Sequence, residues 1–391
     1  MPEKRFIVDV TNVVDVPFIS GIQRVTLEIV VRLLQREGQN DFHFLLLSYD
    51  VFAGAYRVVD NHLFLEGYRN KAFRGGKLSG GMIYQMEDIP AGSVFFDIDS
   101  VWNNRLRRSF LLPYLKKRGV RIAVFVHDII PVILPQYCDR ETAMRFMDYI
   151  GAHAKYADII IGNSQNTISD MEKLLAELEL PEPFMAAAPL GADFKPKQTG
   201  KKSTHPVVQT LHGKKYLLAV GTIEPRKNYD FLLDFYEKKL KAAGIELVVC
   251  GRQGWNVDTV MARIQKMNHR EAGFHYVGYA DDVLIQDLYS NAFFMILTTH
   301  YEGFGLPVIE AFHYQTPVLV PDIEVFREVG GTYCDYYESD NMEQLEKLLV
   351  HYEENPEDYN SLKAKLKTYK AGTWDQSEEI IWHSIERMIE S

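Results

Sequence analysis

The sequence predicts an α/β protein built from two doubly wound parallel sheets, and three observations carry that prediction. The chain has 391 residues against the ~100–200 of a usual domain, which points to two domains. Short runs rich in Val, Ile and Phe alternate with longer stretches of helical periodicity, the βαβ rhythm of a parallel sheet. That rhythm pauses at Lys195–Thr210, KPKQTGKKSTHPVVQT, a polar stretch interrupted by prolines that reads as a linker, and then restarts.

The elements follow in order. In the first half the strand candidates are Phe6–Val10, Phe42–Leu47, Val94–Asp97, Arg121–Val126 and Asp158–Gly162. Ile22–Gln35 repeats Val25, Ile29 and Leu33 at helical spacing, and Ser169–Glu172 has the capping-box pattern before an apolar run. In the second half the candidates are Tyr216–Val220, Glu246–Cys250, Phe274–Val277, Phe293–Leu297 and Val318–Val320. The expected domains are residues 1–195 and 211–372, two Rossmann-like units facing a cleft. No repeat of 20–50 residues is visible, which disfavours a solenoid.

Composition narrows the function classes. Apolar runs such as Phe293–Leu297 fall far short of the ~20 residues of a membrane span. The start MPEKRFIVDV enters a strand-like run without a signal-peptide core. Three scattered cysteines, Cys138, Cys250 and Cys334, argue for a reducing compartment and against a zinc site, so a cytoplasmic protein is expected. The net charge of −10 is unevenly spread: residues 1–195 carry 22 Lys/Arg against 24 Asp/Glu, and the remainder 21 against 29. Asn103–Arg121 alone holds seven basic residues and no acid, and the Gly-rich loop Gly67–Gly81 adds four more. Such a region suggests an anionic partner, for which a membrane surface is one candidate, rather than nucleic-acid binding along the whole molecule. On that reading a basic, partly apolar helix lies on the membrane; on the other, its apolar side packs on the sheet and its charges are solvated.

In open parallel sheets ligands bind beyond the carboxyl ends of the strands, so the residues after each strand are the candidates. No GxGxxG, GxxxxGK[ST] or GxSxG is present, which argues against a dinucleotide fold, a P-loop and a hydrolase elbow. After Phe293–Leu297 comes Glu302-Gly-Phe304-Gly305-Leu306-Pro-Val-Ile-Glu310. Its glycines let the backbone approach a ligand, its helix start favours an anion, and its two carboxylates suit hydroxyl pairs of a sugar or ribose. The alternative is that Glu310 only complements the helix dipole. After Tyr216–Val220 comes Gly221-Thr-Ile-Glu-Pro-Arg226-Lys227-Asn, whose adjacent cations suit a phosphate. Gly278-Tyr279 with Asp281 and Asp282 follows Phe274–Val277, where a base can meet the loop.

In the first half, His127-Asp128 closes a strand, with His127 either in the cleft or a buried structural residue. The loop Phe18–Arg24, with Gly21 and Arg24, either touches an acceptor or only caps the next helix. Asn163-Ser164 reads first as an N-cap. Asp97-Ile-Asp99 matches the DxD by which metal-dependent GT-A glycosyltransferases hold a divalent ion, but it lies in the half without phosphate signals, and no metal is expected.

Together these residues resemble the retaining GT-B glycosyltransferases of the glycogen-synthase-like, mannosyltransferase-rich type, family 4, over nearly the whole chain. Glu302–Glu310 resembles the E-x7-E signature, GTIEPRKN the GTxExRKN phosphate loop, PLGAD (Pro189–Asp193) the segment before the linker, and Val126–Pro131 the VHDxxP motif. The start DVTNVVDVPFISGIQRVTLEIV is similar to a bacterial surface-polysaccharide subgroup, although SGIQR stands where most relatives have GGxGR. TWDQSEEIIWHSIERM resembles the last helix that crosses back to the first domain, residues 373–391.

The resemblance implies a nucleoside diphosphate sugar, best matched by GDP-mannose, and no other cofactor. Arg226 and Lys227 would hold the diphosphate with Gly221 and the Phe304–Leu306 amides beside it. Tyr279 would sit on the donor side, Glu310 on the ribose, Glu302 on the transferred sugar and His127 near the reacting centre. Gly21, Arg24 and Asp128 would face the acceptor, a saccharide or lipid-linked saccharide of O-antigen, capsule or exopolysaccharide. An epimerase of the same fold and a non-catalytic sugar-nucleotide-binding subunit are the alternatives.

Overall fold

The computed structural model describes residues 4–15, 21–70, 81–192 and 203–390. They divide into two compact units, one of Met1–Pro135, Arg140–Gly191 and Gly372–Ser391, the other of Gln136–Asp139 and Ala192–Ala371. The expected first domain therefore loses Gln136–Asp139 to the second unit. Half of the expected linker (195–202), most of the loop Gly67–Gly81 and residues 16–20 lie outside the described residues, as does Asp193 of PLGAD. The end of that linker is a helix, Pro206–Thr210, begun by a proline whose missing N–H costs nothing in the first turn.

The first unit holds eight strands: β1 (Lys4–Asp9), β2 (Phe42–Asp50), β3 (Ala55–Val59), β4 (Ile83–Tyr84), β5 (Val94–Asp97), β6 (Arg121–Val126), β7 (Ile159–Gly162) and β8 (Phe184–Ala187). Their order is β4-β3-β2-β1-β5-β6-β7-β8, parallel except for antiparallel pairing of β3 with β2 and β4. The second unit holds β9 (Tyr216–Val220), β10 (Glu246–Cys250), β11 (Phe274–Gly278), β12 (Phe294–Ile296), β13 (Val318–Pro321) and β14 (Asp335–Tyr337), in the order β11-β10-β9-β12-β13-β14. All pairings in this sheet are parallel. Both sheets bury both faces, which explains why their strands read as continuous apolar runs. In β9 and β10, Leu217 and Leu247 enter one core cluster while Leu218 and Val248 enter another. The strands at or next to a sheet edge, β3, β4, β8 and β14, carry half-exposed residues and escape that apolar signal.

One local expectation shifts, while the C-terminal helix falls where the sequence places it. The helix Gln165–Glu177 starts four residues before the pattern at Ser169: β7 ends at Gly162, and Ser164 Oγ accepts from Thr167 N at 3.0 Å, so the N-cap is Ser164. The helix Trp374–Glu390 belongs to the first unit, where Arg36 grips Glu378 with Nε and Nη2 at 2.5 and 2.8 Å and Trp382 packs 5.6 Å from Phe6.

The order of each sheet reverses once, between β1 and β5 in the first unit and between β9 and β12 in the second. At the first reversal the last residues of β1 and β5, Asp9 and Asp97, are register partners and fully buried. Two adjacent carboxylates in a dry interior require a counter-charge. Arg108 supplies it from the helix Arg108–Lys117, with Nε 2.5 Å from Asp97 Oδ2 and Nη2 2.7 Å from Asp9 Oδ2. Tyr56 OH donates to Asp9 at 2.7 Å, and His153 Nε2 lies 3.0 Å from Asp97. Burial opposes ionisation of Asp97, but the Arg108 guanidinium outweighs it and holds the carboxyl far below its ordinary range.

This network corrects the reading of Asn103–Arg121 as a free basic face. Arg108 is internal, Lys116 and Arg121 pair with Asp158 at 2.7 and 3.3 Å, and Arg118 donates to the Glu87 carbonyl. Leu111, Leu112 and Leu115 are core residues, as in the packed alternative. Arg108→Ala should lower unfolding stability by about 3–5 kcal/mol, because it strands two buried carboxylates. Urea denaturation checks this, and a loss under about 1 kcal/mol would contradict it.

Candidate functional site

The second reversal of strand order brings the loops after β9 and β12 together. Arg226 and Lys227 lie in the 3-10 turn Pro225–Lys227, and Glu302 follows the end of β12. Arg226 Nη1 stands 2.9 Å from Glu302 Oε1 and its Nε 3.0 Å from Glu224 Oε2, while Lys227 Nζ is 3.6 Å from Glu302 Oε1. The backbones are tied as well: His300 N donates to the Arg226 carbonyl at 2.9 Å, Thr298 Oγ1 to the Lys227 carbonyl at 2.8 Å, and Arg226 Nη1 to the Tyr301 carbonyl at 2.8 Å. Burial opposes the charge on Glu302, but the two cations prevail and keep its carboxyl below the ordinary range. Lys227 reaches across Gly221, where a Cβ would stand 2.4 Å from Nζ.

The helix Leu306–His313 opens four residues after Glu302. Gly305 caps it at φ +91°, and a Cβ there would lie 2.8 Å from a Phe326 ring carbon, so both backbone and space require glycine. Phe304 is buried, which leaves the loop's contribution at this point to its backbone. The first-turn N–H groups of such a helix favour an anion. Glu310, half-buried on the second turn, accepts from Tyr289 OH at 3.0 Å through Oε2. Tyr279 follows β11 and is 67% exposed, its ring under the Arg252 guanidinium at 4.7 Å. All the second-half candidates thus sit on the loops and helix start that follow β9, β11 and β12.

The first-half candidates have different surroundings. His127 is buried, and its Nε2 lies 2.7 Å from the Ile98 carbonyl. A carbonyl only accepts, so Nε2 carries the proton and Nδ1 is the acceptor. Burial lowers the His127 pKa to about 4, which makes the ring neutral at physiological pH. Asp128 Oδ1 accepts from Ile130 N at 3.0 Å and so caps the turn Ile130–Ile133. Gly21 and the half-buried Arg24 lie in the first turn of the helix Gly21–Leu34; the rest of their expected loop, through residue 20, is outside the described residues.

The two carboxylates of the DxD match have partners within the first unit. Asp97 is committed to Arg108, and Asp99 accepts from Val13 N at 2.8 Å and Ser100 N at 2.7 Å, with burial pushing its pKa up to about 7. Sequence reasoning missed Glu224, the second partner of Arg226, although it stands inside the quoted loop. Thr298, Thr299 and Tyr289 were also missed: a hydroxyl that pins a distant carbonyl leaves no spacing signature.

The His127 shift has a pH consequence. Its folded pKa lies below the ordinary 6.5, so the unfolded chain binds more protons between about pH 6.5 and 4 and stability falls as pH drops through that window. Compared with His127→Gln, the wild type should lose about 3 kcal/mol between those limits. Denaturant titrations at stepped pH check this; parallel curves for the two proteins would contradict it.

Comparison with known proteins closes the description. The profile of the family described as "Glycosyl transferases group 1" matches residues 201–369. The chain is 25% identical over 402 residues to the serotype-specific mannosyltransferase WbdA of Escherichia coli, covering 97% of this chain and 46% of that protein. It therefore spans less than half the length of the WbdA proteins it matches. To O-antigen chain mannosyltransferase B of Escherichia coli it is 26% identical over 326 residues, covering 80% of this chain and 81% of that one. The solved structure of Anabaena Alr3699/HepE in complex with UDP and glucose superposes with a TM-score of 0.64 over 98% of this chain and 100% of that one; at 10% identity the likeness is one of fold. With two doubly wound sheets and the GTIEPRKN and E-x7-E loops meeting at one reversal of strand order, the chain has the GT-B fold, and its residues 201–369 match the family of group 1 glycosyl transferases.

Proposed function

We propose that this protein transfers a mannosyl group from GDP-mannose, with retention of anomeric configuration, to a saccharide or lipid-linked saccharide acceptor in surface-polysaccharide assembly. The observation that carries the reading is the pair of cations Arg226 and Lys227, held against Glu302, which stands four residues before the helix Leu306–His313. The mannosyltransferases among the relatives support the choice of sugar.

In this reading the two cations balance the charge that develops on the departing diphosphate, helped by the backbone N–H groups of Phe304–Leu306. Because Arg226 and Lys227 are already fixed by Glu224, Glu302 and the threonine contacts, little reorganisation accompanies the chemical step. Glu310, steadied by Tyr289, receives the ribose hydroxyls, and Glu302 receives hydroxyls of the transferred sugar. Neutral His127 offers Nδ1 as an acceptor to a sugar hydroxyl and does not act as a proton donor near pH 7. Departure and attack occur on one face of the sugar, which keeps its configuration.

The decisive experiment is transfer from a panel of nucleotide sugars to a lipid-linked acceptor, with excess chelator present. Activity with GDP-mannose should survive chelation; loss restored by Mn²⁺ or Mg²⁺ would contradict the cation-only account. Arg226→Ala should reduce turnover by on the order of 10²-fold or more, the usual effect of removing a charge-stabilising donor. Glu310→Ala should chiefly raise the KM for donor. Wild-type behaviour of both variants would remove the site.

The same reading places the protein in the cytoplasm, peripheral on the inner face of the membrane that carries the acceptor. No helix among the described residues is long and apolar enough to cross a membrane. The exposed Arg105, Arg107 and Lys117 around Phe110, itself 73% exposed, are the part of the basic stretch offered to an anionic surface. Co-sedimentation with anionic vesicles should fade at high salt and drop in Arg107→Glu/Lys117→Glu. Equal behaviour with neutral vesicles would favour an acceptor delivered from solution.

A further inference from the structure

The turn that carries Arg226 and Lys227 is held from two sides, and the join between those sides is a residue supplied from far away in the chain. On the β12 side, residues 298–300 act as a splint. Besides the Thr298 bond to the Lys227 carbonyl, His300 N and Thr299 Oγ1 both donate to the Arg226 carbonyl, at 2.9 and 3.2 Å. On the β10 side, the following loop is stitched to the start of the same segment. Ile223 N donates to the Arg252 carbonyl at 2.8 Å, and Gly254 N to the Ile223 carbonyl at 2.9 Å.

Tyr137 closes the gap between the splint and the stitched loop. Its ring lies nearly parallel to that of His300, with centroids 5.6 Å apart and planes inclined by 7°, an offset stack. Its backbone carbonyl accepts from Trp255 Nε1 at 2.8 Å. Tyr137 belongs to Gln136–Asp139, which packs with the second unit although the chain on either side belongs to the first.

The contacts therefore form a closed circuit, from Arg226 through His300, Tyr137, Trp255 and Gly254 to Ile223. Every member except Tyr137 comes from the stretch 192–371. A group tied through one contact can pivot about it, whereas a group inside a closed circuit cannot move without breaking a link. We propose that Tyr137 is a positioning residue for Arg226: by stacking on His300 and accepting from Trp255, it fixes the turn whose guanidinium meets the departing diphosphate. The inference rests on the donor-site reading given above. Tyr137 acts through His300 and the turn, and the precision it gives Arg226 matters most where charge develops in the transition state.

Kinetics on the full chain test this, with kcat and KM for GDP-mannose measured in transfer to the lipid-linked acceptor and a melting curve for each variant. Tyr137→Ala should lower kcat by about tenfold or more and leave KM unchanged, because misplacing a catalytic group by ~1 Å can cost on the order of 10²-fold. Tyr137→Phe keeps both the ring and the backbone carbonyl, so it should turn over like the wild type. In an Arg226→Ala background Tyr137→Ala should cause no further loss, since a residue that acts through Arg226 has nothing left to position. Trp255 is 41% exposed, so Trp255→Phe should keep the wild-type melting curve while it removes the bond to Tyr137 and lowers kcat. If Tyr137→Ala fails to fold, Trp255→Phe with and without Arg226→Ala decides by the same comparison. An equal fractional loss in both backgrounds would mark a merely structural role and overturn the inference, as would wild-type kcat in Tyr137→Ala and Trp255→Phe. If Arg226→Ala is still impaired in that case, the donor-site reading stands; if Arg226→Ala also turns over like the wild type, both fall.

Discussion

The ion pair between Arg226 and Glu302 is the constraint around which the second unit is arranged. It joins the loops after β9 and β12, the two strands that flank the reversal of strand order. The side chains of Arg226, Lys227 and Glu302 are each only about one-tenth exposed, at 13, 11 and 12%, so water screens their charges weakly and an unpaired one would be costly. Threonine hydroxyls from the β12 side then fix the carbonyls of the cation-bearing turn, and Gly305 starts a helix shortly after Glu302. The position of the positive charge at this place is settled by folding.

The first unit meets the same topological situation with the opposite outcome. Its sheet also reverses, and the carboxyl ends of the flanking strands also carry charge, in Asp9 and Asp97. There the counter-cation comes from within, and Arg108 fills the position with Tyr56 and His153 packed around it. The result is a closed, structural network. In the second unit the charges stand at a helix start with part of their surface in water; in the first they are sealed. A doubly wound sheet offers a crevice at its reversal, and the side chains decide whether the chain fills it.

The division between what was legible and what was not follows the range of each interaction. Strands buried on both faces, such as Val94–Asp97, Arg121–Val126 and Glu246–Cys250, have the bounds that their apolar runs indicate. Edge strands such as β8 and β14 lie where one side meets solvent, so their composition resembles that of loops. The loop GTIEPRKN and the run Glu302–Glu310 were legible as candidates because their charges and glycines stand in consecutive residues directly after strands. The roles of Asp97, Asp99 and the basic run were not, because each is settled by a partner distant in sequence: Asp9 for Arg108, Val13 for Asp99, Asp158 for Lys116.

By itself, then, the sequence determined the βαβ rhythm, the restart after the first unit, and the two loops that carry cations and carboxylates in the second, since all of these are local patterns of apolarity, turn residues and charge. Only the tertiary structure decided which charges are sealed and which remain available to a ligand. Burial and counter-charge are set by residues brought together from different elements. Arg108 reads in sequence like its neighbour Arg107, yet one is locked between two buried aspartates and the other is exposed.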